Sequence, residues 1–153
     1  MSIAVGDKAP DFKLRDQTGK EISLASFRNK KAVVLYFYPK DETPGCTKEA
    51  CSFRDSYEDF VKAGAEVIGV SGDSMAKHKS FAEHHRLPFT LLADEGNRLR
   101  KTYGVPATLW LLPGRVTYVI DKAGVVRHVF DSQLQATKHI SEALGVIRSL
   151  AAK

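Results

Sequence analysis

The sequence predicts an α/β fold, a sandwich of helices around a mixed sheet that is closed by an antiparallel hairpin. Three observations carry this expectation. Ala32–Tyr38 and Ala65–Val70 are apolar runs rich in β-branched and aromatic residues, the pattern of strands buried on both faces. Segments with apolar residues at helical spacing alternate with such runs. Near the C-terminus, Arg115–Asp121 and Val125–Phe130 flank Lys122-Ala123-Gly124, which reads as a hairpin. This order of elements places parallel and antiparallel pairs in one sheet.

Each element has its own local reason. Phe12, Leu14, Ile22 and Leu24 alternate with polar residues around Gln17-Thr18-Gly19-Lys20, so a β-hairpin is expected at the start. Ala32–Tyr38 is the central strand, and it ends at Pro39. A helix is expected from Pro44 to the stop at Gly64. Thr43 is a good N-cap, Pro44 suits the first helical position, and Cys46, Ala50, Phe53, Tyr57, Phe60 and Val61 fall at helical spacing. Ala65–Val70 is the next strand. Met75–His85 follows as an amphipathic helix with Phe81 and Ala82 inward, then Pro88–Ala93 as a strand. Asn97–Tyr103 is a short helix stopped by Gly104, and Thr137–Leu150 a final helix.

The bulk properties narrow the function classes. The 153 residues suit one domain, 1–153, with no internal repeat and no Pro/Gly/Ser-rich linker. Net charge is +5, but the 23 basic residues are interspersed with 18 acidic ones. The densest basic run, Arg28-Asn29-Lys30-Lys31, suits a solvated turn better than a nucleic-acid surface. No apolar run approaches the ~20 residues of a membrane span. Met1–Asp7 lacks the apolar core of a secretory signal, so a cytoplasmic protein is expected. Two cysteines five positions apart do not make a secreted disulfide scaffold; in a reducing compartment they suggest catalysis or metal binding.

The informative segment is Pro39-Lys40-Asp41-Glu42-Thr43-Pro44-Gly45-Cys46, between a buried strand and a helix N-terminus. A thiol there meets unpaired backbone N–H groups and the positive end of the helix dipole, both of which favour the attacking thiolate. The competing expectation is a buried cysteine acting as a small hydrophobe. In an intact α-helix, residues i and i+5 lie about 140° apart around the axis, with Cα atoms ~8.6 Å apart. A disulfide needs Cα atoms within about 7 Å, so Cys46 and Cys51 cannot be a static staple inside a helix. Either they are unrelated, or they react with each other while the helix unwinds locally.

Pro39-x-x-x-Thr43-x-x-Cys46, after the aromatic Tyr36-Phe37-Tyr38, resembles the active-site signature of the peroxiredoxins. The fuller string Asp41–Thr47, with Cys51 five residues beyond Cys46, resembles the peroxiredoxin Q (bacterioferritin comigratory protein) class. The likeness runs through Ala9-Pro10-Asp11-Phe12, Val70-Ser71-Gly72-Asp73, Leu87-Pro88-Phe89, Tyr103-Gly104-Val105-Pro106 and Gly114–Asp121. Ala107–Pro113 is similar to the photosynthetic branch of that class, which adds a chloroplast as the alternative compartment.

The resemblance implies a thioredoxin-like fold with an added N-terminal hairpin. It implies a peroxidase in which Cys46 attacks the hydroperoxide and Cys51 resolves the sulfenic acid as an intramolecular disulfide that thioredoxin, or a related thiol reductant, reduces. Thr43 would hydrogen-bond the peroxide, Pro39 would shield the pocket, and Arg115 would stabilise the thiolate and hold a peroxide oxygen. Without the resemblance, Arg115 would be a surface arginine and Thr43 a mere N-cap. Glu49 falls at an often acidic position of the family, which a solvated helix face explains equally well. No cofactor or metal is implied, and a monomer is expected because both cysteines lie on one chain.

Chemistry asks for more than a cysteine. Lowering a thiol pKa from ~8.5 to ~6 raises the thiolate fraction at neutral pH about 30-fold. Nucleophilicity falls ~10- to 18-fold over the same shift at a Brønsted slope of about 0.4–0.5. Most of the acceleration must therefore come from groups that polarise the O–O bond and stabilise the leaving oxygen.

Three rival functions remain. A thioredoxin-type disulfide exchanger would normally carry C-x-x-C. A metal module would need His78, His84, His85, His128 or His139 to form a ligand set with the cysteines, which their spacing does not suggest. A non-catalytic redox sensor would share Cys46 oxidation but not turnover.

Overall fold

The computed structural model describes residues 3–105, 107–108, 112–113, 115–132, 135 and 137–151. The chain runs β1 (Lys13–Arg15), β2 (Glu21–Ser23), a 3-10 turn (Leu24–Phe27), β3 (Ala32–Phe37), α1 (Pro44–Asp55), α2 (Tyr57–Lys62) and β4 (Ala65–Ser71). It continues through α3 (Met75–His85), β5 (Thr90–Ala93), α4 (Arg98–Tyr103), β6 (Ala107–Thr108), β7 (Leu112–Pro113), β8 (Val116–Ile120), β9 (Val126–Asp131) and α5 (Lys138–Ala151). Leu109–Leu111 of the apolar run, and Pro106 and Gly114 of the motif, lie outside the described residues.

The main sheet has the order β5-β4-β3-β8-β9. β3 pairs in parallel with β4 and β4 with β5, while β8 runs antiparallel to β3 and β9 antiparallel to β8. β3 is central, and every residue from Ala32 to Phe37 is buried. The period-2 alternation of a strand sends Val34, Tyr36 and Tyr38 to one face, where they join Phe53, Phe60, Phe81, Ile140 and Ile147. Val33, Leu35 and Phe37 face the other side with Ile68, Val70, Leu99 and Tyr103. The β1–β2 hairpin covers that second face through Phe12, Leu14, Ile22 and Leu24. Gln17 fastens it by donating to the Phe89 carbonyl at 3.0 Å and accepting from Leu91 N–H at 2.9 Å. This is the expected thioredoxin-like sandwich with an extra hairpin.

Two local expectations need correction. The single helix from Pro44 to Gly64 is two helices, broken at Ser56, whose φ of −103° and ψ of 4° leave the helical region. Ser52, Asp55 and Ser56 are weak helix formers, and just beyond the break the Tyr57 hydroxyl donates to Glu66 on β4 at 2.8 Å. Val61, placed on the inward stripe by a continuous helix, is 45% exposed. The second correction concerns Thr43. It occupies the N-cap position, but its side chain makes no cap bond, and its hydroxyl donates instead to the Lys40 carbonyl at 2.8 Å.

Candidate active site

Cys46 is the third residue of α1 and is buried. The first bond from the helix start runs from Thr47 N–H to the Thr43 carbonyl at 2.8 Å. The Gly45 and Cys46 N–H groups precede it and face the helix entrance. Pro39, half-buried, ends the β3 segment and opens the loop that leads to Thr43.

The side of α1 that faces the sheet carries Cys46, Glu49, Ala50 and Phe53, all buried. These positions are i, i+3, i+4 and i+7 of one helical stripe. Cys51 lies off that stripe and is half-buried; both cysteines are free thiols in one uninterrupted helix.

Arg115 enters from the start of β8, 69 residues further along the chain, and is only 4% exposed. Its Nη2 donates to Cys46 Sγ at 3.5 Å, and its Nη1 donates to Glu49 Oε1 at 2.6 Å. The surface-arginine alternative is thereby removed, and so is the solvated-face account of Glu49, which is fully buried. Burial pushes the Glu49 carboxyl up to about 8, with the Arg115 charge and hydrogen bond pulling the other way. Behind Glu49 stands His139 of α5, its Nδ1 3.7 Å from Glu49 Oε2. The Thr117 hydroxyl lies 2.7 Å from His139 Nδ1, and His139 Nε2–H donates to the Ser132 carbonyl at 2.8 Å. Burial, the largest cause, holds His139 down at about 4, so it is neutral.

A second buried network holds the loop before the cysteine. The Asp41 N–H donates to Asp73 Oδ2 at 2.8 Å, and the Ser71 hydroxyl donates to the same oxygen at 2.7 Å. The Tyr38 hydroxyl donates to Asp41 Oδ1 at 2.5 Å, His78 Nδ1 meets Asp41 Oδ2 at 2.6 Å, and His78 Nε2 reaches the Leu92 carbonyl at 2.8 Å. β3, β4, α3 and β5 thus all grip the segment that positions Thr43 and Cys46. The sequence signals Asp41 only as part of a motif, and nothing local announces that His78 closes on it.

The structure therefore brings Cys46 and Arg115 together and sets Thr43 at the head of the same helix. It leaves Cys51 on another face. The arrangement suits a small, oxygen-rich substrate at the helix entrance: a thiol nucleophile, backbone N–H donors and a cation converge there.

Comparison with known proteins agrees. A model of the AhpC/TSA family matches residues 5–129. The chain is 60% identical over 149 residues to a protein named peroxiredoxin Q, chloroplastic, from Triticum aestivum, covering 97% of this chain and 68% of that one. The protein of the same name from Arabidopsis thaliana is 60% identical over 145 residues, covering 94% and 67%. Among solved structures, peroxidoxin BcpB from Mycobacterium tuberculosis superposes with a TM-score of 0.89 at 38% identity, covering 97% of this chain and 98% of that one. A mutant PrxQ from Xylella fastidiosa superposes with a TM-score of 0.91 at 26% identity, covering 99% of each. The chain belongs to the AhpC/TSA family, in its peroxiredoxin Q (bacterioferritin comigratory protein) class, and is a thiol peroxidase.

Proposed function

We propose that Cys46 is the peroxidatic residue and Cys51 its resolving partner, within one catalytic domain spanning 1–153. The Cys46 thiolate attacks one peroxide oxygen, the O–O bond breaks, and the leaving alkoxide or hydroxide takes a proton to become alcohol or water. Cys46 is left as a sulfenic acid. The Cys51 thiol then displaces the sulfenic oxygen as water and forms the disulfide. A dithiol reductant of the thioredoxin type returns both cysteines to thiols.

The observation that carries this proposal is the Arg115 guanidinium, anchored on Glu49 at 2.6 Å and aimed at Cys46 Sγ at 3.5 Å. A buried cation there stabilises charge on sulfur and on the departing oxygen together. Thr43 and the Cys46 N–H supply further donors, and Pro39 limits water at the entrance. Because both cysteines share α1, the disulfide forms within one chain, which supports a monomeric catalytic unit. Of the two compartments left open by the sequence, cytoplasm and chloroplast, the names of the plant relatives favour the second.

Peroxide consumption coupled to thioredoxin, thioredoxin reductase and NADPH tests the proposal. Cys46→Ser should abolish turnover. Arg115→Ala should slow Cys46 oxidation by about 100-fold, the order of one lost oxyanion donor, in a folded protein. Thr43→Val should act in the same direction, with Thr43→Ser mild. Wild-type turnover in Cys46→Ser would refute the assignment. Oxidation of Cys46 without steady turnover would instead indicate a redox sensor.

A further inference from the structure

Outside the thiol site, three metal-ligating side chains from two elements converge on the surface beside it. Glu42 lies in the loop four residues before Cys46, and His84 and His85 form the last turn of α3. Glu42 Oε2 is 2.9 Å from His84 Nδ1, and Glu42 Oε1 is 2.8 Å from His85 Nε2. The three donor atoms fall within 4.8 Å of one another. We propose that Glu42, His84 and His85 bind a divalent zinc-like cation, and that the bound ion restrains the active-site loop.

The donor set carries the chemical part of the argument. Two imidazoles and one carboxylate suit a borderline cation rather than magnesium or calcium, which prefer all-oxygen ligands. Bonds of ~2.0–2.1 Å in a tetrahedral site put donors ~3.3 Å apart. Glu42 Oε1 stands 3.2 Å from His84 Nδ1 and 2.8 Å from His85 Nε2, so each of these two pairs needs to open by no more than about 0.5 Å. Water completes the fourth position. Access is open, because the His84 side chain is 64% exposed and Glu42 45%, while His85 at 17% is the firmer anchor. The rings are already oriented: His85 stands edge-on to Phe81, with centroids 5.1 Å apart, and His84 lies 4.1 Å from His85. Glu42 itself holds φ at 63°, in the left-handed region that side-chain-bearing residues seldom occupy. His84 and His85 both meet Glu42. Their partner is a residue of the cysteine's own loop.

The consequence rests on the thiol mechanism proposed above. The ion would join the end of α3 to the loop that starts α1. Arg54 makes a second link between these elements, donating from Nη1 to the His85 carbonyl at 2.8 Å. Disulfide formation requires α1 to unwind between those two links. A ligand that binds only the wound form opposes the change by mass action, by up to about 100-fold when present at 100 times its Kd.

Zinc is the probe, since it is redox-inert. In a Cys46→Ser/Cys51→Ser protein, calorimetry or competition with a chromogenic chelator should show one zinc per chain. Glu42→Gln or His84→Asn, added to that background, should each weaken binding at least about tenfold. No saturable binding, or equal affinity in these variants, would overturn the site. In the protein with both cysteines, zinc should slow the appearance of the Cys46–Cys51 disulfide after one equivalent of peroxide, and Glu42→Gln should remove the slowing. Equal slowing in both proteins would mean that zinc acts on the thiols and would overturn the restraint. Failure of that disulfide to form even without zinc would overturn the resolving mechanism and the restraint, while the binding result would still decide the site.

Discussion

Gly45 sets how closely Arg115 approaches the thiol. A Cβ at this position would stand 3.0 Å from Arg115 Nη2, tighter than ordinary contact, and the guanidinium has little room to retreat because its Nη1 is held on Glu49. Gly45→Ala should therefore displace the donor from Cys46 and slow its oxidation about tenfold or more, read by stopped flow. The same change sets the better helix propensity of alanine, up to about 1 kcal/mol, against the crowding of the buried Arg115–Glu49 pair, so stability should stay within about 1 kcal/mol of wild type. A variant with wild-type oxidation rate would separate Arg115 from the chemistry. Glu49 plays the complementary part. Burial pushes its carboxyl upward against the pull of Arg115, and its Oε1 holds Nη1 in place so that Nη2 faces Cys46.

At the scale of the element, the proposed mechanism asks α1 to be rigid for attack and to yield for resolution. Phe53 anchors it, fully buried and stacked on Tyr36 with centroids 4.5 Å apart, beside Phe60 at 5.7 Å and Phe89 at 6.3 Å. Removing such a side chain costs roughly 3–5 kcal/mol, so unwinding that exposed Phe53 fully would cost a comparable amount. The interruption at Ser56 limits the problem, since α2 ends the cooperative run and keeps Phe60 in place. Oxidation should strip amide protection from roughly Gly45 to Arg54 and spare Tyr57–Lys62. Hydrogen-exchange mass spectrometry of the two redox forms checks this. Equal protection in both, or an intermolecular dimer as the main oxidised product, would sink the unwinding mechanism.

Across the whole molecule, the sheet is what assembles the site. Pairing of β3 with β8 delivers Arg115 to a cysteine 69 residues away, and α5, packed over the same face, seals Glu49 with His139. That burial has a pH signature. His139 is held at about 4 in the folded chain against an ordinary 6.5, so the folded form keeps it neutral while the unfolded form takes up a proton below 6.5. Its contribution is present above pH 6.5 and is lost as pH falls toward 4. A shift of that size corresponds to roughly 3 kcal/mol. The stability gap between wild type and His139→Gln, measured by denaturant unfolding, should narrow by roughly 2–3 kcal/mol between pH 7 and pH 4.5. A gap that stays constant would mean that His139 is not buried neutral.

The strands and helices of this protein were legible because their signals are local. Val33-Val34-Leu35-Tyr36-Phe37 alternates between two buried faces, α3 and α5 repeat at helical spacing, and Pro44 after Thr43 marks where a helix begins. The placement of Cys46 in the first turn follows from the same residues. Glu49 was within reach too, since it shares the buried stripe of Cys46, Ala50 and Phe53, but a carboxylate at that spacing more often faces water. The break at Ser56 coincides with weak helix formers at Ser52, Asp55 and Ser56, and Tyr57 beyond it turns its hydroxyl to Glu66 on β4, a contact outside any helical window. His139, the Asp41–His78 contact and the Glu42–His84–His85 cluster carried no local signal, and Arg115 was marked only by the resemblance of Gly114–Asp121 to the family motif. What makes an arginine an active-site cation, or a histidine neutral, is loss of solvent and the approach of a partner far away in sequence. Only the closed sheet and the helices packed on it create those two conditions.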